Sequence, residues 1–82
     1  MRFLMPRFHF HIKDDGTFIE DEEGQEFDDR DAVRREAVET GASIARDAFV
    51  SGRARQVIVD VREGDIPFLK ISISLDVEDE FD

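Results

Sequence analysis

The stretch VIVDVREGDIPFLKISISL, residues 57–75, carries two apolar rows of period two on either side of a turn. Val57, Val59 and Val61 form one row, and Leu69, Ile71, Ile73 and Leu75 form the other. Successive side chains of a strand point to opposite faces, so this period predicts two strands, each with one face buried. The β-branched content suits a pleated, half-buried surface, and REGDIP supplies the turn that makes the pair a hairpin. The outward row is then Ile58, Asp60, Arg62, Phe68, Lys70, Ser72 and Ser74.

Toward the N-terminus the period changes. From Asp29 to about Ser51, Val33, Ala37, Gly41, Ile44 and Ala48 recur at helical spacing, and Val38, Ala45 and Phe49 widen the row into a stripe. Asp28 or Asp29 can accept hydrogen bonds from the first free amides. Gly52 can stop the helix in the left-handed conformation, and Arg53 and Arg55 lie near its negative end. Gly41 costs about 1 kcal/mol relative to Ala inside a helix, and its place on the apolar row predicts close approach of helix to sheet.

Before the helix, Arg7 to Ile12 alternates again, with Phe8, Phe10 and Ile12 inward and Arg7, His9 and His11 outward. Asp15-Gly16 favours a tight turn, and Thr17, Phe18 and Ile19 return as a short strand. DEEG, residues 21–24, marks a second turn leading to Phe27, which is expected to tuck against the helix. The order is ββαββ. One helix covers one face of a sheet, so the predicted fold is α+β: a two-layer sandwich, with a four-stranded, mainly antiparallel sheet carrying the helix on one face and bare on the other. We expect a single domain over residues 1–82, with an ordered core at 5–75, an extension at 1–4 and a disordered acidic tail at 76–82.

A chain of 82 residues buries only roughly 60 to 65% of its unfolded surface, so its core is small. Without cysteine it has no disulfide, thiolate ligand or thiol nucleophile, which fits a reducing compartment. MRFLMPRF lacks the apolar run of a signal peptide, and no stretch has the length of a membrane span. A soluble cytoplasmic protein is expected. Its 21 acidic against 11 basic residues give a formal charge of −10, which disfavours direct binding to nucleic acid or to an anionic membrane. The acid is concentrated: residues 14–31 hold ten carboxylates against Arg30 alone, and residues 76–82 hold five against none.

His9 and His11 on one strand face could chelate a metal with help from nearby acids, but the plainer reading is a pair of solvent-side histidines beside Arg7 and Lys13. Counting back from Gly16 or Gly24, calcium-loop spacing puts His11 or Ile19 at the first ligand position, where neither serves. The chain has no nucleophile elbow, zinc-protease helix motif, P-loop or dinucleotide fingerprint. Loop carboxylates in water lack the pocket that acid and base catalysis needs. The expectation is a protein that is not an enzyme and uses no cofactor.

MPRFHFHI, DEEG followed by Glu26 and Phe27, the Ala- and Arg-rich helix and VIVDVREGDIPFLKISI resemble a group of short bacterial proteins, common in rhizobia and their relatives, that carry a domain of unknown function. The resemblance spans Met5 to about Ile73. That group usually opens Met-Pro-Arg-aromatic-Phe-His, matched here by Met5, Pro6, Arg7, Phe8, Phe10 and His11. It implies that Met5 is the ancestral start, that His9 replaces a usual aromatic, and that the fold is ββαββ. It implies no activity, cofactor or catalytic residue.

The bare face is the remaining candidate, a partly apolar and basic surface of Arg7, His9, His11, Ile58, Arg62, Phe68 and Lys70. It is expected to meet a protein partner or a second copy as a homodimer, in an interaction or regulatory role. The second candidate is an acidic surface of Asp14, Asp15, Asp21, Glu22 and Glu23 that imitates nucleic-acid phosphates and occupies a basic partner.

Overall fold

The computed structural model describes residues 5–80. The extension at 1–4 and the last two residues of the tail lie outside them. In chain order the elements are β1 (Arg7–Asp14), β2 (Thr17–Ile19), β3 (Gln25–Glu26), α1 (Arg30–Ser51), β4 (Gln56–Glu63) and β5 (Ile66–Ser74). All pairings are antiparallel, in the order β2-β1-β4-β5, and the short β3 pairs with β1 on the same edge as β2. The result is the expected α+β architecture, with α1 on one face of an open sheet, but the sheet has five strands rather than four because the residues after the DEEG turn add the two-residue β3.

The helix starts where its chemistry allows. Asp29 is the N-cap in an extended conformation, and its carboxylate accepts the Asp31 N–H. Gly52 ends the helix at φ 75°, a backbone conformation that a side chain disfavours. Val33, Ala37, Gly41, Ala45 and Ala48 form the buried stripe. Val38 does not join it: the side chain expected there is 49% exposed, because the small-residue row already faces the sheet and Val38 lies on its flank. A Cβ built on Gly41 would stand 3.0 Å from Val59 Cγ2 and 3.2 Å from Ile73 Cδ1. Glycine there admits the close contact that its position on the apolar row predicts.

The core is centred on β4, where Val57, Val59 and Val61 are fully buried. Phe8 and Ile12 flank them on β1, and Phe27 closes the end with its ring edge-on to Phe8 and Phe10. Phe68 departs from the sequence expectation. Val61 pairs with Leu69 but Arg62 pairs with Pro67, leaving Phe68 as the extra residue of a β-bulge. The bulge turns its side chain toward the helix layer. Its ring centroid lies 5.1 Å from that of buried Phe8, and the Arg30 guanidinium sits 5.5 Å above it. Phe68 therefore belongs to the core side and not to the bare face.

Candidate functional site

The backbone of β1 determines what happens at its free edge. N–H groups of successive residues point to opposite sides of a strand and those of alternate residues to the same side, so those of Phe8, Phe10, Ile12 and Asp14 point away from β4 if that of Phe10 does. The Phe10 N–H meets the Asp21 carboxylate at 3.0 Å, on the side where β2 and β3 lie. β2 covers Ile12 to Asp14 and β3 covers Arg7 and Phe8, leaving Phe10 between them. Asp21 fills the gap: one carboxylate oxygen takes the Phe10 N–H and the other takes the Gly24 N–H at 3.0 Å. Partial burial works to raise the pKa of this carboxyl, but the two amide hydrogen bonds and the neighbouring His9 and His11 outweigh it and hold it below the usual range.

The same loop covers the histidines. The Asp21 N–H donates to His11 Nδ1 at 3.1 Å, and His9 Nδ1 lies 2.8 Å from the Asp21 carbonyl oxygen. A carbonyl only accepts, so His9 carries hydrogen on Nδ1; His11 accepts at Nδ1, so in its neutral form it carries hydrogen on Nε2. The rings stack at 6.1 Å and 12°. Gly24, at φ 70°, packs so tightly that a Cβ would lie 2.8 Å from His9 Cε1 and 2.9 Å from the Phe8 carbonyl oxygen. His9 and His11 thus lie on the face the alternation assigns, but half-buried under a loop rather than on its solvent side. With Nδ1 engaged and Nε2 protonated, His11 has no free lone pair for a metal, and the described residues bring together no metal-competent group of three or more His, Asp and Glu side chains.

The expected acidic surface is divided in the same way. Asp14 is 6% exposed and pairs with Arg53; it continues the inward row of Phe8, Phe10 and Ile12 and is not a surface residue. The Asp15 carboxylate accepts the Arg55 N–H at 2.8 Å. These two aspartates tie the β1–β2 turn to the segment between α1 and β4. Asp21 is likewise turned inward, and of the five residues of the expected surface only Glu22 and Glu23 have exposed side chains free of such bonds.

On the outer face, Arg7 donates to the Glu23 carbonyl and to the Glu26 carboxylate, and Arg62 is matched by Asp60 and the Asp65 carbonyl. Ile58 is half-buried on this face, and Lys70 is exposed with no ion pair among the described residues. Phe18, which the alternation did not assign to the site, lies 5.9 Å from His11 and extends the ring row toward β2. Asp21, assigned from the sequence to the outward acidic surface, instead bonds the backbone, and an aspartate three residues before a glycine is a turn signature in which the side chain does so.

The opposite edge is β5. Its inner row, Leu69, Ile71 and Ile73, and Leu75 just beyond it, are all only half-buried, whereas the adjacent valines of β4 are fully covered. The Leu75 N–H donates to the Arg55 carbonyl at 2.9 Å, on the β4 side. By the same alternation the backbone groups of Lys70, Ser72 and Ser74 point to the free edge.

A family model described as a domain of unknown function, DUF6894, matches residues 7–74. The chain belongs to this family. The DUF6894 match runs from the first residue of β1 to the last of β5, so it takes in both edges, the bulge and the Asp21 loop. No curated protein and no solved structure matches the chain. No helix among the described residues is long and apolar enough to cross a membrane.

Proposed function

We infer that the protein is a non-enzymatic protein-interaction module that receives a partner strand along β5, with the adjoining outer face of Ile58 and Lys70 contributing contacts. The observation that carries this reading is the nine-residue edge strand β5, which among the described residues has a neighbour on one side only. An edge strand offers a ladder of unpaired N–H and C=O groups, and strand addition is a recurring mode of protein recognition. The ionisable groups gathered at the other edge support the same reading, because Asp14, Asp15 and Asp21 are engaged in bonds that hold the fold. Commitment of those three carboxylates also speaks against phosphate mimicry, which needs them outward.

Ser72→Pro tests the reading. Proline is tolerated on an edge strand where its missing N–H faces outward, so this change removes a donor from the free edge and leaves the β4–β5 ladder intact. Affinity capture from cell lysate is expected to retain a protein on the wild type that the folded Ser72→Pro variant loses. Equal retention by both, or specific retention by neither from a chain that is also monomeric in solution, refutes strand addition at β5.

A further inference from the structure

We propose that the strand received by β5 is β5 of a second copy, in a twofold antiparallel pairing centred on Ile73. This rests on the reading of β5 as the contact edge and goes on to name its occupant and register. A strand paired with its own copy about a twofold axis keeps the inner row beside the inner row, so the half-buried Leu69, Ile71, Ile73 and Leu75 gain apolar neighbours without exposing any. The helix layer of each copy lies on the same side of the joined sheet.

The register is set by charge and by the bulge. Pairing about Lys70 opposes like charges. Pairing about Ile71 brings Ser74 of one copy against the bulged Phe68 of the other, and pairing about Ser72 does the same to Asp76. Pairing about Ile73 places Lys70 directly opposite Asp76 of the second copy, Ser72 opposite Ser74, and Ile71 opposite Leu75. It also sets Val77, which is 60% exposed, beside Leu69. Lys70, Ser72 and Ser74 are the residues whose backbone groups face the edge, so each falls in a hydrogen-bonded pair. The N-terminal part of β5 stays out of the contact, as Pro67, which lacks an N–H, and the bulge require. The first residues of the acidic tail then act as an extension of β5 with a cationic counterpart, rather than as a solubilising appendage.

Sedimentation equilibrium of the full chain at about 0.15 M salt, which screens the repulsion between two chains of net −10, is the test. The wild type is expected to dimerise below about 1 mM. Lys70→Glu should weaken the dimer about tenfold or more, and adding Asp76→Lys should restore it, since the reversed charges again face each other. Lys70 is exposed, so this arm stands even if Ser72→Pro fails to fold. The native chain has no cysteine, and Ile73→Cys should form a disulfide-linked dimer, because opposed residues in a non-hydrogen-bonded pair lie about 4.5 Å apart at Cα. Ser72→Cys, offset from its own mate, should not. A monomer throughout, or a dimer indifferent to Lys70→Glu, overturns the proposal. If the monomer still captures a protein that Ser72→Pro loses, self-pairing fails while the edge reading stands; if it captures nothing, both fail.

Discussion

At the β1 edge, two short strands and the Asp21 carboxylate satisfy the outward N–H groups of Phe8, Phe10 and Ile12, and the loop between them covers His9 and His11. At the β5 edge nothing comparable is present among the described residues, and the inner row stays half-exposed. Both edges derive from similar alternating sequence. The difference lies in the segment C-terminal to each strand: an acidic stretch containing a D-x-x-G turn folds back on β1, while an acidic tail without a turn leaves β5 uncovered. An aspartate can thus act as the missing rung of a sheet when a glycine lets the chain approach closely.

The largest expected contrast between the edges is in packing. Phe8→Ala, at a buried site on the closed side, should destabilise by about 3–5 kcal/mol, whereas Ile73→Ala on the open side should cost about 1–2 kcal/mol because part of that side chain already meets water. Urea unfolding of both variants measures the difference, and equal losses would remove the distinction. Next, Gly24→Ala should cost about 1–3 kcal/mol, since it combines a disfavoured positive φ with a clash against His9 and the Phe8 carbonyl; faster hydrogen exchange at the Phe10 amide should accompany it.

Asp21→Asn sharpens the comparison further. It weakens two charge-assisted hydrogen bonds and should cost about 1–2 kcal/mol at neutral pH. The native Asp21 pKa lies below its unfolded value, so its contribution is present above about pH 4 and lost as pH falls through the lowered native pKa. The wild type and Asp21→Asn should therefore converge in stability in acid, and a gap that persists there contradicts the role given to the carboxylate. Nitrogen NMR of the neutral rings should find His9 protonated at Nδ1 and His11 at Nε2. The smallest effect belongs to Val38→Glu, which should stay within about 0.5 kcal/mol of the wild type because that side chain is half-exposed on the helix flank.

The fold was legible because its apolar rows keep strict periods of two and of helical spacing, with Asp29, Gly41 and Gly52 at positions where their chemistry is decisive. Phe68 was not legible. A bulge inserts one residue without disturbing composition, and in PFL the extra residue is as apolar as its neighbour. Asp14 could have been read correctly, since the alternation that places Ile12 inward also places Asp14 inward; its charge argued for the surface, and its partner Arg53 is remote in sequence. In a run of ten carboxylates the one turned toward the backbone looks like the others, and only its spacing from Gly24 distinguishes Asp21.

The central pairing has a kinetic consequence. β4 and β5 meet across a tight turn, and so do β1 and β2, but β1 meets β4 only after the whole helix has been spanned, with Phe8 opposite Glu63 and Asp14 opposite Val57. Closing that long loop costs entropy before its contacts repay it. Assembly should wait on β1 finding β4, and changes at their interface, such as Val59→Ala, should slow refolding, while changes confined to the C-terminal hairpin should mainly hasten unfolding.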